Sequence, residues 1–298
     1  MVQKIDQYMH EFLSELNYKP ILIMSSKLQG GKKLRSKLLL KIASENDISY
    51  KICAIIELIH AASLLHDDVI DEAKLRRGVK SINEQFGAKN AIMLGDILYS
   101  KAFYELSLID LKLAKIISNA VVKLSVGELM DVNLSETFNT DKNAYLQMIY
   151  NKTAVLIEAS ARCGAILANL NEDDFAEYGK NLGLAFQIVD DILDIKGDEQ
   201  TLGKPAMNDF KEGKTTLAYM YLYEKLNPQD QEILKSYYKK DLNIDELTWI
   251  KNKMQEHEIF NQIGQELNTY ANNALKAIEK YNIKDLEDII KSMIEREF

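Results

Sequence analysis

Residues 51–71 read KICAIIELIHAASLLHDDVID. Apolar side chains recur at every third or fourth position, and the stretch ends in Asp67, Asp68 and Asp71. That spacing puts a continuous apolar face on a helix. The stretch holds no glycine or proline and no alternating strand pattern, so it predicts a buried helix with an acidic end. The same form returns at residues 186–194, FQIVDDILD, with Asp190, Asp191 and Asp194. Further periodic segments lie at 89–109, 111–133, 142–169, 173–195 and 213–225, and only Pro20, Pro205 and Pro228 interrupt the chain as prolines. The expectation is an all-α chain: one large helical bundle and a single domain over 1–298. Residues 227–298 are expected to be a smaller, more charged set of helices peripheral to the core.

Composition narrows the function. Apolar residues make up 47% and charged residues 28% of 298, a globular balance long enough for a sizeable core. The net charge of −8 argues against nucleic acid as a partner. It also requires that any anionic substrate be held by local cations or metal. Cys53 and Cys163 each sit in apolar stretches without metal-ligand spacing and read as reduced core thiols. This suits a cytoplasmic protein. The N-terminal MVQKIDQYMHEFLSEL reads as an amphipathic helix, neither signal peptide nor span, and no apolar run reaches 18 residues. At most transient membrane contact is expected.

On a helix, positions i and i+4 share a face about 6 Å apart along the axis. Asp67 therefore pairs with Asp71, and Asp190 with Asp194. Like charges at this spacing destabilise a helix, and anions near its C-terminus meet an unfavourable dipole. A single such cluster reads as a solvated helix end. Two clusters in matched apolar contexts point to bound cations. Carboxylates without soft ligands suit Mg²⁺, which completes its shell with water and substrate phosphate.

Basic residues lie near both clusters in sequence. Lys32 and Arg35 follow Gly30-Gly31 in GGKKLRSK, where glycine permits close backbone approach. Arg76 and Arg77 belong to EAKLRRGVKS, residues 72–81, which reads as a polar loop. Lys152 and Thr153 sit inside the apolar helix YNKTAVLIEASA, and Lys204 and Lys214 lie in the polar stretch 196–214. Arg grips phosphate oxygens in pairs, and Lys acts as a point charge. Alone, each reads as surface charge, except Lys152, which stands at the edge of a core and needs a partner.

With these residues in place, the chain resembles the trans-isoprenyl diphosphate synthases, or polyprenyl synthetases, and among them the long-chain, octaprenyl-type members. The markers, in order, are GGKKLR, HAASLLHDDVIDEAKLRRG, GDILYSKAF, GEL, NKTA, FQIVDDILD and GK…DFKEGKTT. The resemblance implies a helical bundle round a deep central cavity, usually in a homodimer, with Mg²⁺ ions bound together with substrate. It implies Asp67, Asp71 and Asp190, with Asp194, as metal ligands. Lys32, Arg35, His60 and Arg77 match a pocket for isopentenyl diphosphate. Arg76, Lys152, Thr153, Gln187 and Lys204, with Lys214 nearby, match the allylic diphosphate side. The catalytic set so implied is Asp67, Asp71, Asp190, Lys152 and Gln187. The chain departs from the family pattern at Lys33-Leu34-Arg35-Ser36, where Arg-x-Arg-Pro is frequent, at Asp131 for glutamine, at Met207 for glycine and at Ala218 for proline.

In short-chain relatives a bulky aromatic near position 62 or 63 floors the cavity. Here Ala62 and Ser63 are small, with Ile59 a turn further from Asp67, so the expected product is longer than fifteen carbons and octaprenyl-like. A geranylgeranyl or farnesyl product, or a role as one subunit of a heteromeric synthase, are the alternatives. A class I terpene cyclase would carry an Asn/Ser/Glu second motif in place of the second DDxxD. Glu57-x-x-His60 matches half of a di-iron motif, but the second half is missing.

Overall fold

The computed structural model describes residues 1–28, 30–197 and 207–294. Helix takes up 79% of the described residues, and the fold is all-α as expected. The helices are α1 Val2–Ser14, α2 Lys19–Ser25, α3 Leu34–Ala43, α4 Asp47–Ile70, α5 Ile82–Phe86, α6 Ala88–Ser107, α7 Leu111–Leu134, α8 Lys142–Ile149, α9 Val155–Leu167 and α10 Glu172–Lys196. After the undescribed stretch come α11 Asn208–Lys211, α12 Leu217–Lys225, α13 Pro228–Tyr237, α14 Ile244–Glu256, α15 Ile259–Ile278 and α16 Lys284–Ile294.

The chain divides into two compact units. The first comprises Met1–Leu124 and Leu156–Gly179. Its axis is α4, which packs against α1, α3 and α6. Asn46 starts α4 with a capping box: its side chain accepts the Ser49 amide, and Ser49 Oγ accepts the Asn46 amide. Ile52, Ile55, Ile56, Ile59 and Ala62 are fully buried. By length and hydropathy α4 is apolar enough to cross a membrane, but 67% of its most apolar window is buried in the fold, as in a core helix. Ser36 is buried in α3 and donates to Glu57 of α4 at 2.5 Å, so the hydroxyl partners a carboxylate that proline would leave bare.

Residues 72–81 correct the expectation of a plain loop. Leu75–Arg76 (β1) pairs antiparallel with Val79–Lys80 (β2), Leu75 opposite Lys80 and Arg76 opposite Val79. Arg77 and Gly78 form the two-residue turn with φ 52° and 77°. Positive φ at both positions matches the right-handed twist of the flanking strands.

The second unit comprises Ser125–Val155 and Lys180–Phe298. Its C-terminal helices do more than cover a surface. They bury Leu234, Ile250, Met254, Ile263 and Leu267, and α12 packs against α8, α14 and α15. Met207 takes a left-handed φ of 58° yet is buried, so side-chain burial offsets the strain that glycine would avoid.

The NKTA segment is not the regular helix expected from its periodicity. Tyr150–Ala154 is a π turn, closed by the Val155 amide on the Tyr150 carbonyl. Helices rarely widen this way, and such turns are found mostly at functional sites. Two glycines hold its backbone closely. A Cβ on Gly127 would clash with the Lys152 amide nitrogen and lie 2.6 Å from the Asn151 carbonyl carbon. A Cβ on Gly183 would lie 2.5 Å from the Ala154 Cα. Gly183→Ala must therefore push the two backbones away from each other. It is expected to destabilise the protein by about 1–3 kcal/mol, read as a lower thermal midpoint; an unchanged midpoint would show that the backbones separate freely.

Candidate active site

Each acidic cluster carries an inward aspartate as its second member. Asp68 is buried, and its Oδ1 accepts Arg76 Nε and Nη2, both at 2.7 Å. This ion pair ties the hairpin to the end of α4. Asn83 adds hydrogen bonds to the Asp68 and Ala73 carbonyls. Asp67 is half-buried on the last turn, and Asp71 is exposed at the C-cap, its amide on the Asp67 carbonyl at 2.8 Å. In the second cluster Asp190 is exposed, while Asp191 and Asp194 are buried. Asp191 accepts Tyr145 Oη at 2.5 Å and Gln187 Nε2 at 2.8 Å. Burial, and then the nearby Asp209 charge, lift its carboxyl to about 8, against the pull of those two donors. Asp194 accepts the Asp209 amide at 3.0 Å and so caps α11. Asp190 and Asp194 thus share a side of the helix but not an environment.

In the second unit, one cavity gathers Lys152, Thr153, Gln187, Lys214 and Asp131, together with Tyr145, Asp191 and Asp209. Lys152 Nζ lies 2.5 Å from Asp131 and 2.9 Å from Glu128. This accounts for Asp131 where the family often has glutamine: it places the ammonium group. Thr153 Oγ1 donates to Gln187 Oε1 at 2.7 Å, and Gln187 Nε2 donates to Asp191, which fixes the amide orientation. Lys214 lines the same cavity and pairs with Glu212 at 2.8 Å. Lys204 lies outside the described residues.

In the first unit, a second cavity is lined by Gly30, Gly31, Lys33, His60, Ala61 and Arg77, with Asp6 and His10 contributed by α1. Arg77 Nη1 donates to the Gly30 carbonyl at 2.8 Å, so the glycine pair lies against a guanidinium. His60 is pushed well below its ordinary pKa, first by burial and then by Arg35, Arg76 and Arg77. The imidazole thus reports three guanidinium charges acting on one point. Lys32 is exposed on the loop before α3. Lys33, which the sequence did not single out, is buried in a left-handed conformation and bonded to Asp6 at 2.8 Å. Neither cavity is lined by Ile59, Ala62 or Ser63; the first two are fully buried and Ser63 is half-buried.

The sequence also passed over Glu128, Tyr145 and Asp209. Only Glu128 carried a local signal, three residues from Asp131 on one helix face. Metal chemistry fits the donors present. Among the described residues no group of three or more His, Cys, Asp or Glu side chains forms a closed metal cage. Carboxylates at open helix ends suit a hard cation that takes the rest of its shell from water and phosphate.

Comparison with known proteins identifies the family. A family model described as polyprenyl synthetase matches residues 21–254. The short chain isoprenyl diphosphate synthase of Methanothermobacter thermautotrophicus is 36% identical over 246 residues, 78% of this chain and 75% of that protein. The crystal structure of octaprenyl pyrophosphate synthase from Helicobacter pylori superposes with a TM-score of 0.94 at 44% identity, covering 98% of each chain. Polyprenyl synthase from Caulobacter crescentus CB15, solved in complex with calcium and isoprenyl diphosphate, gives a TM-score of 0.83 at 27% identity over 100% of this chain and 98% of its own. With seven motifs in order and a cavity in each unit lined in part by Lys or Arg, the chain belongs to the polyprenyl synthetase family and is a prenyltransferase.

Proposed function

We propose that this enzyme condenses isopentenyl diphosphate with an allylic diphosphate to give a long, octaprenyl-like polyprenyl diphosphate, as a Mg²⁺-dependent cytoplasmic homodimer. The observation that carries the reading is the cavity where Lys152, Thr153, Gln187 and Lys214 meet. It offers two cations and an oriented hydroxyl–amide pair in a partly buried setting, which suits a diphosphate leaving group. The cavity of His60 and Arg77, under the added field of Arg35, suits the second diphosphate, with exposed Lys32 nearby in sequence.

Asp67 and Asp71 of the first unit and Asp190 of the second are the proposed metal ligands, with Asp194 bracing the end of α10. Bound Mg²⁺ supplies positive charge to the departing diphosphate. Lys152 adds to that charge from a position set by Glu128 and Asp131. Arg76, anchored by Asp68, contributes its remaining donors, and Lys204 and Lys214 complete the proposed allylic side. The allylic carbon–oxygen bond breaks, and the diphosphate takes its electron pair. The double bond of isopentenyl diphosphate attacks the allylic carbon, and a proton passes to the released diphosphate. The free lone pairs of Thr153 Oγ1 and Gln187 Oε1 favour positive charge nearby. No protein base is required.

Small side chains at Ala62 and Ser63, and the likeness to an octaprenyl synthase, support a long product. The likeness to a short-chain synthase supports a medium-chain product as the second reading. Val122, Val126 and Leu129, exposed at i, i+4 and i+7 on α7, support a homodimer.

Sizing by mass the products made from isopentenyl diphosphate and starters of ten, fifteen and twenty carbons tests the reading directly. Chains beyond twenty carbons are expected; growth that stops at fifteen or twenty selects the medium-chain reading. In the same assay Asp67→Ala and Asp190→Ala are each expected to lower turnover by orders of magnitude, and near-normal rates in both would refute the metal assignment. Ser63→Phe is expected to shorten the product, and an unchanged length would remove position 63 from the tunnel wall.

His60 generates a pH test. Its free-state pKa is depressed by burial and three guanidiniums. A diphosphate that neutralises those charges returns the imidazole toward its ordinary value, so binding takes up protons between the depressed and the ordinary pKa. Calorimetry near pH 6 with isopentenyl diphosphate should show a buffer-dependent heat of proton uptake that His60→Gln removes. An identical uptake in the variant would place the proton elsewhere.

A further inference from the structure

Tyr238, the residue after α13, lies far in sequence from every motif described above. Its ring packs edge-on against Phe138 and Phe210, with centroids 5.6 and 5.7 Å away. Its hydroxyl reaches three backbone carbonyls: Gly213 at 2.6 Å, Ser135 at 2.8 Å and Thr137 at 3.0 Å. These carbonyls belong to two segments, one following α7 and one leading into α12. A phenol has one proton, so three acceptors share a single donor. The segments also meet through the Asn139 amide on Thr215 Oγ1 at 3.2 Å.

Gly213 adopts φ +91°, and a Cβ there would clash with Lys239 and lie 2.9 Å from the Ser135 carbonyl. The three residues that follow, Lys214, Thr215 and Thr216, line the cavity of Lys152 and Gln187. Tyr238 therefore holds the one backbone carbonyl from which this wall of the cavity departs. Burial pushes the phenol up to about 12, with a hydrogen bond from Thr215 opposing and the Asp131 charge adding, so the group remains a donor at neutral pH.

We propose that Tyr238 is a positioning residue for the allylic diphosphate: its hydroxyl fixes the Gly213 backbone and thereby sets Lys214 and Thr215 against the ligand. The inference rests on the reading that this cavity takes the allylic diphosphate. Ring packing on Phe138 and Phe210 keeps Tyr238 in place, and its hydroxyl supplies its hydrogen bonds to the Ser135, Thr137 and Gly213 carbonyls, so Tyr238→Phe separates the two contributions.

Tyr238→Phe is expected to keep its thermal midpoint within a few degrees and to speed amide hydrogen exchange at residues 213–216. Its KM for geranylgeranyl diphosphate should rise about tenfold, with the KM for isopentenyl diphosphate within about twofold. Lys214→Ala should also raise the allylic KM. Unchanged exchange at 213–216, or an equal rise in both KM values, overturns the inference. If Lys214→Ala raises the allylic KM and Tyr238→Phe does not, the positioning role falls while the reading of the cavity stands. If neither variant moves it, the cavity reading falls and the inference with it.

Discussion

A carboxylate withdrawn from water must be paired, because an uncompensated buried charge costs several kcal/mol. Asp68 meets this constraint with the Arg76 ion pair, and Asp191 meets it by holding its proton, its carboxyl lifted to about 8, and by hydrogen bonds; much of both sites depends on how they do so. Asp68 recruits Arg76, which brings the hairpin against α4 and carries Arg77 to the Gly30 carbonyl. Asp191 recruits Tyr145 and Gln187, and Gln187 Oε1 in turn accepts a hydrogen bond from the Thr153 hydroxyl. Within each DDxxD, then, the second aspartate braces the framework, and Asp67 and Asp190 are left more open.

The same economy governs the cations. Lys152 is held by two carboxylates, Lys33 by Asp6, and Lys101 is buried between Glu15 and Glu105. On the proposed reading, a diphosphate entering the Lys152 cavity competes with anions already in place. The ammonium is thereby kept in position without a full unmatched charge, and a long, flexible side chain loses less rotamer freedom on binding.

Much of this was legible in the sequence. The long helices follow hydrophobic periodicity, and α4, α6, α7 and α10 begin and end within a few residues of where their patterns do. Paired aspartates and the cations near them in sequence were visible because they interrupt apolar runs. The hairpin was missed because Arg-Gly is a weak signal for a turn that favours Asn-Gly or Asp-Gly. The π turn leaves no mark on periodicity, since one widened turn inside an apolar segment shifts the pattern too little. Tyr145 and Tyr238 act through contacts made only by folding, Tyr145 on Asp191 and Tyr238 on Gly213, and nothing local distinguishes either from a core tyrosine.

In an ordinary α-helix consecutive side chains diverge by about 100°, so neighbours in sequence face different surroundings. The closure of Tyr150 on Val155 spreads five residues over one loop of backbone, and Lys152 and Thr153 both open onto one cavity. The widened turn sets two adjacent side chains at a smaller angle than an ordinary helix does, and on the proposed reading one offers a ligand charge and the other a hydroxyl.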